Sequence, residues 1–197
     1  VAGLREPTMQ TVALSLLCVL LCIAIGGPIG IWAGLRPGSD RYLRPAVDIL
    51  QSLPTTLYLA PAVLFFTIGQ TPAASATVAF AVGPLIRIAA LGIREVPAAS
   101  VEAGVMFGSS PRQLLWKVRL PQAAPTLVTG VNQTIMAALS MAVIAALVGA
   151  GGLGAEVFQT LQLRSPGRGL LVGMAIVAIA IAFDRLFRSL VDRPRWP

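Results

Sequence analysis

Histidine is absent from this 197-residue chain, cysteine occurs only twice, and charged residues make up just 12% of it. Without imidazole, a Ser-His hydrolase site, a His-ligated zinc and an imidazole proton relay are excluded within the chain. Cys18 and Cys22 stand four apart in one apolar run. That spacing puts both on one helix face, badly placed for a disulfide and with no second pair for a metal, so they read as small packing residues. No G-x-x-x-x-G-K-[ST] pattern occurs, and the chain cannot cradle a nucleotide phosphate by that route. Charge is missing over long distances: none falls between Glu6 and Arg36, or from Ile49 to Ile86.

What fills these stretches is apolar. Hydrophobic residues reach 56% and the mean hydropathy is +0.80, which is membrane and not soluble composition. The net charge of +7 would suit nucleic acid if the basic residues formed a polar face. They stand instead at the ends of apolar runs, where they set topology, so nucleic-acid binding is set aside. The partner medium is the lipid bilayer.

A helix of about 20 residues crosses a hydrocarbon core. Val12–Trp32 satisfies this as a first span, with Gly26-Gly27-Pro28 expected to bend or loosen its end. Residues 36–48 read as a short polar loop. The next uncharged stretch is too long for one helix and divides at Gly69-Gln70-Thr71-Pro72 into spans at about 50–68 and 73–93. Arg87 lies inside the third span, about six residues or roughly 9 Å from its end. It has two readings, snorkelling to the interface or membership of a pathway or interhelical ion pair. Pro125–Val148 makes a fourth span. A glycine-rich turn at 149–154 and a short interfacial helix follow, then a fifth span at 169–183 and a basic tail from Asp184 carrying Arg185, Arg188, Arg193 and Arg195. The chain begins at Val1 without an initiator Met or a cleavable signal pattern, which leaves room for residues upstream.

Placing the 36–48 loop, the 94–124 region and the tail on one side collects twelve of the fifteen Lys and Arg residues, counting Arg87. By the positive-inside rule that side is cytoplasmic. The expectation is an all-α, multi-pass cell-membrane protein of about five transmembrane helices, forming one membrane domain over 1–197. Its N-terminus is outside and its C-terminus cytoplasmic.

The longest polar interruption is Glu102–Pro121. Gly108 suits a left-handed helix stop, Ser110 an N-cap, Pro111 the first helical position, and Gln113 completes a capping box. These signals predict a helix-turn-helix outside the membrane. Val101, Gly104, Val105 and Gly108 form a stripe on the first arm; Leu114, Leu115 and Val118 form an apolar patch on the second, which Leu120-Pro121 is expected to end. From the residues alone, two readings stand. The arms rest on the headgroups as an ordinary loop, or their small-residue stripe enters a groove on a cytoplasmic partner.

Glu102-Ala103-Gly104, three residues, Gly108, nine residues, then Val118-Arg119-Leu120-Pro121 resembles the EAA signature of ABC importer permeases, with both spacings kept. Gly104 replaces the third alanine and Val118 an isoleucine. Asn132-Gln133-Thr134 and Gly149-Ala150-Gly151-Gly152-Leu153-Gly154 resemble the glycine betaine, choline and proline betaine branch. The resemblance implies a MetI-like permease fold, a second permease copy in a homodimer, two cytoplasmic ABC ATPase subunits and an extracytoplasmic substrate-binding protein. It implies a transport subunit and not an enzyme, with no cofactor of its own: ATP and Mg belong to the ATPase. The residues it assigns to coupling are Glu102, Ala103, Gly104, Gly108, Pro111, Arg112, Leu120 and Pro121. The binding protein would dock on the 149–154 turn and residues 155–165.

For the solute path the candidates are Asn132, Gln133 and Ser140 on the fourth span, with Gln51 and Thr55 near the start of the second. Polar packing within a bundle accounts for the same residues. Quaternary ammonium ions are held by aromatic cages; aromatics are 6% of the chain and do not cluster, which assigns selectivity mainly to the binding protein. Missing histidine and the lack of paired intramembrane carboxylates oppose an intramembrane enzyme. A stand-alone channel or secondary carrier is the rival from another class, and a permease for another small solute, such as an amino acid, the rival within it.

Overall fold

A computed structural model describes residues 2–191, with side chains described at 3–39 and 41–187. Among the described residues every regular element is helical. The spine is α1 (Arg5–Leu35) packed on α4 (Gln70–Arg94). Small residues every fourth position on α1, namely Cys18, Cys22, Gly26, Gly30 and Gly34, let the two backbones approach. A Cβ on Gly30 would stand 2.6 Å from the Cβ of Ala89 and 2.8 Å from the carbonyl oxygen of Ile86. The thiols of Cys18 and Cys22 point at the carbonyls of Ala74 and Val78, 3.8 and 3.7 Å away. Pairing therefore advances in step along both chains, and the helices run parallel. Both cysteines are free and buried, as packing residues should be. Gly26-Gly27-Pro28 does not end α1, which continues to Leu35.

Helix α7 (Leu120–Ile144) packs antiparallel on α4: Gly92 faces Ala123 and Thr126, while Gly130 faces Leu85 and Ile88. Helix α9 (Pro166–Val191) covers α7. One core cluster joins Val19, Leu85, Ile135, Leu139, Leu153 and Val172. The apolar window of α4 is 56% buried and that of α9 only 17%, so α4 is the centre of the bundle and α9 its outer wall.

The second span is not one helix over 50–68. Helix α2 (Asp40–Ser52) begins inside the stretch expected to be a loop, and α3 (Leu59–Phe66) follows a 3-10 turn at Thr55–Tyr58. The two arms meet at 102°. The cause is local: Pro54 drives Leu53 to an extended backbone, φ −70° and ψ 134°. Tyr58 braces the corner by donating its hydroxyl proton to the Leu50 carbonyl and setting its ring edge-on to Phe80, 5.8 Å between centroids. Helix α2 escaped the hydropathy reading because it is amphipathic. Val47 is buried on α4, while Arg41, Tyr42, Arg44 and Asp48 are exposed. Among the described residues, four helical segments are long and apolar enough to cross a membrane, and five if the bent pair counts as one crossing.

Three smaller expectations change. The turn after α3 lies at 67–69, and Gln70, Thr71 and Pro72 already belong to α4. The fifth span is longer than 169–183, covering Pro166–Phe187 of the helix Pro166–Val191, so Asp184 and Arg185 sit in a helix and not in a tail. Arg193, Arg195 and the Arg188 side chain lie outside the described residues. The expected interfacial helix is α8 (Gly152–Gln162), whose first amides are capped from a distance: Gly152 N–H donates to Gln10 Oε1 at 3.1 Å and Leu153 N–H to Thr11 Oγ1 at 2.8 Å. Gly152, Leu153 and Gly154 are therefore buried as a joint between helices. The exposed surface of the 149–165 region includes Gly149 and, within the expected 155–165 stretch, Phe158, Gln159, Leu161, Gln162, Leu163 and Arg164.

Candidate functional site

The Glu102–Pro121 segment folds as a helix-turn-helix at the end of the bundle. Helix α5 (Ala98–Met106) ends in a Schellman turn. Gly108 takes φ +74°, Gly108 N–H donates to the Val105 carbonyl at 2.9 Å and Ser109 N–H to the Gly104 carbonyl at 3.0 Å. Helix α6 (Pro111–Leu114) starts with the full capping box. Gln113 N–H donates to Ser110 Oγ at 3.3 Å, and Ser110 N–H donates to Gln113 Oε1 at 2.9 Å.

The second arm does not end at Leu120-Pro121. It runs through a π-turn at Leu115–Arg119 directly into α7, so one continuous helical segment extends from Pro111 to Val148. The wider turn precedes a proline that lacks an N–H, and Pro121 sits in the first turn of α7, where that N–H is not needed. Displacement of the exposed elbow would thus be transmitted to α7 without an intervening loop.

Half of the stripe, Val101 and Gly104, is used internally, while Val105 and Gly108 are exposed. Gly104 lies under Leu114 and Val118 of the second arm, and Val101 packs with Leu115 and Leu120 beside Ile93 and Ala123. Of the expected coupling residues, Glu102, Ala103, Gly108, Pro111 and Arg112 are exposed, whereas Gly104, Leu120 and Pro121 are half-buried at the root. The outer surface carries residues that the motif does not mark: Met106 and Phe107, each 89% exposed, and Trp116, 70% exposed. Beneath the elbow, Glu102 shares a cleft of about 530 Å³ with Arg36, Arg94 and Arg119.

Within the bundle, a second cleft of about 650 Å³ brings together Gln51, Asn132, Gln133 and Ser140, joined by Phe80, Thr129, Met136 and Asp184. Thr55, in the 3-10 turn, does not line it. Asp184 went unrecognised because a carboxylate following an apolar run resembles the start of a tail. In the fold it accepts a hydrogen bond from Asn132 Nδ2. Arg87 resolves as an interhelical ion pair: it bridges to Asp48 of α2 and donates to Gln51 Oε1 at 3.1 Å.

This fold, a bent-helix bundle with a capped elbow running into a membrane helix, is that of an ABC importer transmembrane subunit. The structure of the MetNI methionine ABC transporter in inward-facing form superimposes with a TM-score of 0.79, at 26% identity over 94% of each chain. The chain belongs to the binding-protein-dependent transport system inner membrane component family, whose model matches residues 26–196, and is accordingly a multi-pass membrane protein. It is 46% identical to the glycine betaine transport system permease protein OpuAB of Bacillus subtilis, over 95% of this chain and 67% of that one. It is 45% identical to the glycine betaine/proline betaine permease ProW of Escherichia coli, over 95% and 53%. The chain thus spans about two thirds of the first relative and about half of the second.

Proposed function

We propose that this chain is the transmembrane permease subunit of an ATP-driven importer for a small compatible solute: glycine betaine, choline or proline betaine. The observation that carries this is the capped elbow, an exposed apolar and charged tip joined without a break to a membrane helix. In this reading two copies pair across a twofold axis and cytoplasmic ATPase subunits grip Glu102, Gly108, Arg112 and their neighbours. ATP and Mg are bound on those subunits. A substrate-binding protein docks on the opposite face, beside α8, and the N-terminus of this chain lies on that outer side. Gln51, Asn132, Gln133 and Ser140 face the solute path, with Thr55 at its margin. The betaine relatives at 45–46% identity favour this solute class over the methionine suggested by the more distant structure.

The test is uptake of radiolabelled glycine betaine into proteoliposomes holding the permease, its ATPase and its binding protein. Uptake should require both ATP and the ATPase subunit. Uptake that persisted without the ATPase would turn the reading to a secondary carrier.

A further inference from the structure

The 530 Å³ cleft beneath the elbow shares no residue with the cleft that gathers the solute-path candidates, and its charge is unbalanced. It lies where the last turns of α1 and α4 meet the first turns of α5. Three arginines, Arg36, Arg94 and Arg119, line it against one carboxylate, Glu102, an excess of two positive charges. Arg94 is fixed in place: its Nη2 donates to the Ala33 carbonyl at 2.9 Å and to Ser39 Oγ at 3.0 Å. Arg36 stacks over Trp32, 4.9 Å from the ring centroid, which leaves its N–H groups at the guanidinium edge free to donate. Arg119 lines the cleft from the π-turn that leads into α7. Guanidinium forks match the paired oxygens of a phosphate group.

The surroundings say how such a phosphate is presented. Leu21, Ile25, Ile29 and Trp32, spaced by three and four, share one face of α1 with Arg36, and all four are exposed. From Leu21 to Trp32 this stripe is about 16 Å long, half of a roughly 30 Å hydrocarbon core. It ends at the cleft in a tryptophan, the residue type that marks a membrane–water boundary. A free phosphate ion would make no use of the stripe, whereas an acyl chain covers it.

We propose that this cleft binds the phosphodiester of an anionic phospholipid, such as phosphatidylglycerol, from the cytoplasmic leaflet, with an acyl chain lying along α1. Basic pockets between helices at that boundary suit anionic headgroups. Arg36 and Arg119 hold the phosphate from opposite walls, and Arg94 adds its charge from α4. The headgroup then ties the ends of α1 and α4 to the π-turn, so a lipid closes the gap under the elbow.

The permease, alone and with its ATPase, is stripped of lipid in detergent and titrated with phosphatidylglycerol or phosphatidylcholine, and bound lipid is counted by native mass spectrometry. Phosphatidylglycerol should bind saturably and about tenfold more tightly than phosphatidylcholine. Inorganic phosphate in large excess should not displace it. Arg36→Gln and Arg119→Met should each weaken binding roughly fivefold to tenfold, and Arg119→Lys should keep part of the affinity. The two positions lie on different segments, so either variant carries the expectation if the other fails to assemble. Lys117→Gln removes an exposed charge that does not line the cleft and should change binding little. Equal binding of the two lipids, displacement by inorganic phosphate, unchanged affinity in the cleft variants, or an equal loss in Lys117→Gln overturns the lipid site. Binding to the permease alone but not to the complex assigns the cleft to the ATPase and overturns it as well. A transporter that takes up no glycine betaine bears on the permease reading and leaves this site standing.

Discussion

Gly104 of α5 lies so close under Leu114 of α6 that a Cβ at position 104 would stand 2.7 Å from the Leu114 Cδ1. The residue that departs from the alanine of the family signature therefore has a steric partner on the facing arm. Because the obstruction is the tip of a flexible side chain, Gly104→Ala should be accommodated by a Leu114 rotamer change, with uptake retained. Gly104→Val cannot be met that way and should pry the arms apart, at the 1–3 kcal/mol typical of overpacking. Uptake should fall at least tenfold and return in part in Gly104→Val/Leu114→Ala. If the double variant were no better than the single one, the arms would not be in contact.

The parallel seam of α1 and α4 makes a second, independent prediction. A Cβ on Gly30 meets backbone, the Ile86 carbonyl oxygen at 2.8 Å, whereas Gly27, three residues earlier, has nothing within 4 Å. Gly30→Val should lower the thermal unfolding midpoint of the detergent-solubilised protein by several degrees. Gly27→Ala should leave it unchanged or raise it slightly, since alanine is the better helix former by about 1 kcal/mol. Equal effects at the two positions would contradict the pairing.

The elbow separates backbone from charge at one residue. Gly108 sits at φ +74°, which costs most L-residues about 1–2 kcal/mol but is tolerated by Asn and Asp. Gly108→Asn should therefore hydrolyse ATP and take up solute together, whereas Gly108→Asp, adding a negative charge to the exposed tip, should insert normally yet uncouple hydrolysis from uptake. Ser110→Ala removes the cap and should cost about 1 kcal/mol locally, read as faster amide exchange at Gln113 and Leu114. Normal transport by Gly108→Asp would refute docking through this elbow.

The elbow was legible because its signals are local: a glycine, a serine cap, a proline and a glutamine within six positions fix the turn whatever lies around them. The apolar runs were legible for the same reason. The 102° corner at Pro54 was not legible, since its angle depends on Tyr58 reaching back to Leu50. Helix α2 was lost because its polar half outweighs Val47 in any hydropathy average. The cleft was half legible: polar residues in apolar runs identified Gln51, Asn132, Gln133 and Ser140, but nothing local joins Asn132 to Asp184, fifty-two positions away. Pro121 misled because a proline usually stops a helix, and here the preceding π-turn carries the helix past it.

The surface that sequence motifs passed over yields the last prediction. Met106 and Phe107 are each 89% exposed on the elbow, and nothing in the bundle needs them. Large apolar side chains at the tip of a polar loop have no folding role, and exposed apolar groups of this kind mark binding surfaces. In the proposed assembly they enter the ATPase, and aromatic residues commonly dominate such contacts. Phe107→Ser should leave membrane insertion and the unfolding midpoint as in the wild type, while co-purification of the ATPase with the tagged permease falls about tenfold, the equivalent of about 1.4 kcal/mol. Gly27→Ala, on α1 away from the elbow and with nothing within 4 Å of the added Cβ, serves as the control and should have little effect. Full retention of the ATPase by Phe107→Ser would show that Phe107 is not part of the contact.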